Sequence, residues 1–162
     1  MKTRASKIDI TQVKVGMIWY EENAFSFDRL PDKKIKAVVE LVKDGVIYGD
    51  LTASELIEVK EECLSWSRAK SYICNLRYPC KRDEKIVNYD LSLAYYASAE
   101  YAAVENSFKL IGKEARRGMY WTADCRDEYY GYTVGFCFAN IQAVAYKRSD
   151  FRVRPVLALK VE

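Results

Sequence analysis

Residues 117–159 read RGMYWTADCRDEYYGYTVGFCFANIQAVAYKRSDFRVRPVLAL. The stretch opens on Tyr120-Trp121 and closes on Arg152-Val153-Arg154-Pro155-Val156, and both ends carry the aromatic and β-branched residues that strands favour. Between them, small, charged, aromatic and amide residues follow neither a two-residue nor a 3.6-residue period. Such an order fits ends that serve as scaffold and a middle released from packing. Trp121 is expected as a core anchor, with Val134 and Phe136 beside it. Alternation along the closing strand sets Val153 and Pro155 opposite Arg152, Arg154 and Val156. Arg152 and Arg154 are therefore expected to pin neighbouring loops through forked hydrogen bonds rather than to meet a ligand.

Working outward, MYWTA, YYGYTVGFCF, NIQAVAY and FRVRPVLALKV all predict strands. Upstream, SAEYAAVENSFKLIG predicts a helix with Ser98 as cap, Tyr101, Val104, Phe108 and Ile111 on one face, and Gly112 as its left-handed stop. From about Glu61, apolar residues at 64, 66, 69, 72, 73 and 76 predict another helix, ended by Pro79. Lys81 to Asn88 is expected as a short helix capped near Cys80. AVVELV and VIYGDL flank Asp44-Gly45, which predicts a tight hairpin, and strands are expected around 16–20 and 24–27. The sum is α+β: one domain over 1–162, with strands and a hairpin in 1–60, a helical part in 61–117 and a sheet in 118–162.

Composition narrows the chemistry. The chain has 162 residues, enough to bury a core without metal or disulfide staples. Its 13 tyrosines suit both recognition surfaces and half-buried strands, and both uses are expected, split by position. A net charge of +3 is too small to signal nucleic acid, and the run Lys109, Lys113, Arg116, Arg117 reads as a solvated helix end. There is no histidine, hence no Ser-His or Cys-His pair and no imidazole base. The five cysteines, at 63, 74, 80, 125 and 137, form no C-x-x-C and are expected to be free and buried. Acidic pairs at 21–22, 61–62, 83–84 and 127–128 read as solvated surface, because adjacent side chains diverge. No phosphate-binding glycine loop or EF-hand loop occurs. The first residues, MKTRASKIDITQVKVG, lack the apolar run of a signal peptide, and no stretch approaches membrane-spanning length.

Tyr120-Trp121-Thr122-Ala123, Tyr132-Thr133-Val134-Gly135-Phe136, Ala139-Asn140-Ile141 and Arg152 to Val156 together resemble the ending of C-type-lectin-fold proteins. Among these are the variable proteins of diversity-generating retroelements and related bacterial or phage surface domains. LRYPCKRDEKIV resembles, more weakly, the segment that follows their first helix, and GMIWY with AVVELVKDGVIYGDLT is similar to the amino-terminal hairpins of the gut-bacterial and phage branch. The chain departs from the pattern at Ala139, where Gly is usual, and at Leu76, where Trp is usual.

The resemblance implies a lectin-like binding fold without catalysis or cofactor. The positions that change in the family fall on Arg126, Asp127, Tyr129, Tyr130, Thr133, Cys137, Asn140, Gln142, Tyr146, Arg148, Ser149, Asp150 and Phe151. The Glu-Pro-Asn and Trp-Asn-Asp signatures are missing, so calcium-dependent sugar binding is not implied. The expected function is display of this face to a protein or glycan receptor, at a phage tip or bacterial surface, without nucleic acid or membrane insertion. One alternative is an assembly domain whose irregular segment is a homo-oligomer interface. A remote one is an oxidase of the formylglycine-generating branch using Cys125 or Cys137.

Overall fold

The computed structural model describes residues 8–88, 90, 100–136 and 142–161; Ser98, Cys137, Asn140 and residues 139 and 141 lie outside them. The described chain is α+β, with two helices and two mostly antiparallel sheets. In chain order come β1 (Ile18–Tyr20), β2 (Ala24–Ser26), β3 (Ile35–Lys43), β4 (Val46–Asp50), β5 (Glu62–Leu64), α1 (Trp66–Asn75), β6 (Glu84–Val87) and α2 (Tyr101–Leu110). Then follow β7 (Met119–Cys125), β8 (Tyr130–Gly135), β9 (Gln142–Tyr146), β10 (Phe151–Val153) and β11 (Val156–Lys160).

The larger sheet has the order β2-β1-β3-β4-β11-β6. Its hairpin turns at Asp44 and Gly45, whose φ of 52° and 76° suit a two-residue turn that matches strand twist. Strand β3 is buried along most of its length, because side chains pack on both its faces. The second sheet runs β5-β10-β7-β8-β9, with only β10 and β7 parallel.

One core lies where the two sheets meet α2. Ile18, Tyr20 and Val38 of the first sheet pack there with Tyr101, Val104 and Phe108 of α2 and with Tyr120, Val134 and Phe136. Another covers the far face of the first sheet around Trp19, Ile47 and Leu157. A third sits under α1, where Ala69 and Ile73 meet Trp121 and Val153. Gly112, at φ 73°, closes α2 as its sequence predicts.

Several expectations are corrected. Lys81–Asn88 is no helix: Asp83 takes φ 67°, and Glu84–Val87 pairs with β11 along the sheet edge. The ladder there outweighs weak helical propensity. The helix expected from Glu61 begins only at Trp66, because Glu62–Leu64 pairs with β10. Cys63, Cys74, Cys80 and Cys125 are free, but they are exposed rather than buried. Arg116 is not a solvated helix end, since its Nε donates to Glu40 Oε1 at 3.1 Å and the side chain is buried. A bulge in β3 between Val39 and Leu41 accompanies this inward Glu40. Glu84 is not surface either: it forms a buried ion pair with Lys36, whose ammonium also lies 5.3 Å over the Trp19 ring. Val156, expected beside the arginines, is fully buried, because the strand breaks at Arg154-Pro155 and restarts as β11.

Arg154 does hold a loop. Its Nη2 donates to Glu114 O at 2.9 Å and its Nη1 to Asp50 Oδ2 at 3.0 Å, tying the segment after α2 to the end of β4. Burial pushes the Asp50 carboxyl up, but Arg154, Arg116 and the bonds from Thr52 outweigh it and hold Asp50 below its ordinary value. Arg152 donates to Arg117 O, pinning the same segment from the other sheet.

Candidate functional site

The second sheet has two unlike faces, and its register decides which side chains reach solvent. Tyr120 opposes Val134 and Trp121 opposes Thr133, so Trp121, Thr133 and Gly131 share the face that α1 covers. Tyr130 and Tyr132 point the other way, with Val144 and Tyr146 opposite them on β9. At the base of that face Tyr120, Val134 and Phe136 enter the core, whereas at its tip Tyr146 is 60% exposed.

Two indoles brace the tip from behind. Trp121 is buried and donates Nε1–H to Leu64 O at 2.8 Å, with Phe151 edge-on at 5.0 Å. Trp66 opens α1, and its backbone N–H bonds Lys147 O at 2.9 Å. Gly131 passes between the rings: a Cβ there would stand 2.7 Å from Trp66 Cδ1 and 2.9 Å from Trp121 Cζ3. Lys147 and Lys70 lie 4.2 and 4.8 Å over Trp66, so the indole is clasped by cations as well.

The turn between β7 and β8 is organised by Asp127. Its Oδ1 accepts from the backbone N–H of Tyr129 at 2.8 Å and of Tyr130 at 2.9 Å. The Tyr129 bond, with those from Tyr130 and Arg126, lowers the Asp127 pKa. This locally closed turn leaves Tyr129 63% exposed at its tip. The Tyr130 and Tyr146 rings stack with centroids 4.7 Å apart, and Arg126 lies 4.4 Å over Tyr130 on its other side. A hydrogen bond with Tyr146 raises the Tyr130 phenol. Glu128, Tyr129, Tyr146, Lys147 and Arg148 line an open concavity of about 460 Å³ beside the stack.

The expected ligand residues therefore divide. Arg126, Asp127, Tyr129, Tyr130, Tyr146 and Arg148 gather at one tip, with Ser149 and Asp150 in the adjoining turn; Gln142 opens β9. Thr133 and Phe151 do not join them. Thr133 is 1% exposed, with its hydroxyl on Ala143 O, and Phe151 packs on Trp121 beneath the sheet. Period-two alternation from Tyr130 places Thr133 inward, a signal that the family pattern overrode. Lys147 and Gly131 belong to the tip or its support without having been singled out, while in the sequence Glu128 reads only as solvated surface and Trp66 only as an apolar helix position. A lone glycine inside the strand pattern YYGYTV was the available sign of close ring approach.

Among the described residues no group of three Cys, Asp or Glu could hold a metal ion, and no helix is long and apolar enough to cross a membrane. Compared with protein-family models and with curated proteins, the chain matches none, and its functional reading rests on the geometry of this tip.

Proposed function

We propose that the chain is a non-enzymatic ligand-binding module of the C-type-lectin-like, variable-protein kind, presenting the β7–β8 tip and the end of β9 to a receptor at a phage tip or bacterial surface. The observation that carries this reading is the separation of duties in the second sheet. Trp121, Val134 and Phe136 are buried, while Tyr129 in the β7–β8 turn and Tyr146 at the end of β9 are more than half exposed. Rigid aromatic faces with hydroxyl handles, beside Arg126 and Arg148, suit recognition at small entropic cost. Each aromatic anchor buried by a partner would contribute on the order of 2 kcal/mol.

The test is binding of the intact chain to glycan arrays and to displayed libraries of peptides and folded proteins, followed by Tyr129→Ala/Tyr146→Ala. Retained hits should be lost with the double variant. Hits that survive it, or none in any library, would count against this face. Retroelement diversification makes a separate prediction: a reverse-transcriptase gene and a near-copy of the final coding stretch, differing mainly at adenines, in the neighbouring DNA.

A further inference from the structure

The edge of the second sheet beside this tip has a defined hydrogen-bonding phase. Lys147 donates its backbone N–H to Tyr129 O at 2.9 Å, and Tyr130 O accepts from Arg126 N–H at 2.9 Å. The backbone of Tyr130 is thus turned toward β7, and the Tyr130–Tyr146 pair is a non-hydrogen-bonded one. The close 4.7 Å ring stacking agrees, because side chains approach most nearly at such pairs. With no register shift along β8 and β9, Ala145 and Ala143 bond inward to β8, while Val144 and the Tyr146 N–H point outward from the sheet. Tyr146 O is taken by Ser149 N–H at 2.9 Å. Among the described residues no strand pairs with that outer edge.

Edges left open in this way are usually blunted by Lys, Pro or a bulge. Strand β9 reads Gln-Ala-Val-Ala-Tyr, uncharged and regular, and Val144 is 39% exposed. Past its end lies the concavity lined by Tyr129, Tyr146, Lys147, Arg148 and Glu128, two cations against one carboxylate. Arg126 pairs with Asp127 nearby at 3.4 Å.

We propose that the partner is an extended peptide segment that adds to the outer edge of β9, bonding the backbone of Val144, and sets an acidic side chain against Lys147 and Arg148 in the concavity. This rests on the ligand-binding reading and names its partner class. Outward backbone donors and acceptors match another extended backbone, and the pocket supplies the side-chain selectivity that strand addition otherwise lacks.

The test is selection of a random linear-peptide library on the intact chain, with affinities of enriched synthetic peptides measured in solution. Enriched peptides should carry Asp or Glu at a fixed position. N-methylation of alternate peptide amides should cost at least about tenfold in affinity, and methylation of the intervening ones little. Val144→Pro removes an outward N–H without breaking a ladder hydrogen bond and should abolish binding, with a melt confirming that it folds. Peptides indifferent to both N-methylation and Val144→Pro overturn the edge while leaving the ligand-binding reading intact. The edge also falls if glycans or folded proteins bind through Tyr129 and Tyr146 and no peptide does. If no probe of any class depends on those tyrosines, both readings fall together.

Discussion

At the scale of single residues, the tip depends on one buried indole, Trp121, one partly buried indole, Trp66, and one side chain that is absent. Gly131 lets the Trp66 and Trp121 rings close over the strand, and any Cβ meets ring atoms that packing holds on both sides. Gly131→Ala should therefore destabilise by about 1–3 kcal/mol, the range typical of overpacking, read from the urea unfolding midpoint. An unchanged midpoint would mean that the indoles can part freely. Arg154 makes a different prediction. Arg154→Met leaves Asp50 buried with part of its charge compensation gone, at a cost of about 3–5 kcal/mol near neutral pH. The pH dependence has a definite sign. In the parent chain the Asp50 pKa lies below 3.8, so its contribution is complete above that value and is lost as pH falls through the folded pKa. In the variant the burial effect is less opposed and raises the pKa, so the carboxyl takes up a proton at milder acidity. The stability gap between parent and variant should narrow on acidification, and a gap constant with pH would place the charge compensation elsewhere.

At the scale of elements, the hydrogen-bonding phase of β9 can be tested without any ligand. Ala145→Pro removes an inward N–H and leaves Gly131 O without its ladder partner, whereas Val144→Pro removes an outward one. The first should cost about 1–3 kcal/mol more than the second in thermal or urea unfolding. Equal costs would contradict the assigned phase. The same scale shows what was legible in the sequence. The Asp44-Gly45 hairpin, the Gly112 helix stop and the strands after Gly118 all announced themselves, because turn chemistry and β-branched runs act locally. Strands β5 and β6 did not. Each exists through pairing with a distant strand, Glu62–Leu64 on β10 and Glu84–Val87 on β11, and no local period encodes that.

At the scale of the whole molecule, charge is placed less locally than the sequence implies. Arg116 and Arg154 stand far in sequence from Glu40 and Asp50 of the β3–β4 hairpin, yet the four meet between the two sheets and α2, and Lys36 and Glu84 meet across the first sheet. A residue-by-residue reading assigns Arg116 and Glu84 to solvent, because a buried charge is recognised only by its partner. The candidate site was more legible than this framework. Of the positions that the resemblance singled out, Arg126, Tyr129, Tyr130, Tyr146 and Arg148 lie together at the tip, whereas Thr133 and Phe151 lie inward, where strand alternation turns the side chain. The framework thus places the buried ionic links and indoles behind the sheet and leaves the tip open.

The central claim is that the exposed rings of Tyr129 and Tyr146 lie outside the core, Tyr146 packing only on the Tyr130 ring at the surface, and the thermal unfolding midpoint of Tyr129→Ala/Tyr146→Ala tests it most directly. For a chain of this size a loss of 1 kcal/mol lowers the midpoint by roughly 2–4 °C. A change smaller than that is the result this account requires, and a fall of about 10 °C or more would show those rings to be part of the core and contradict it.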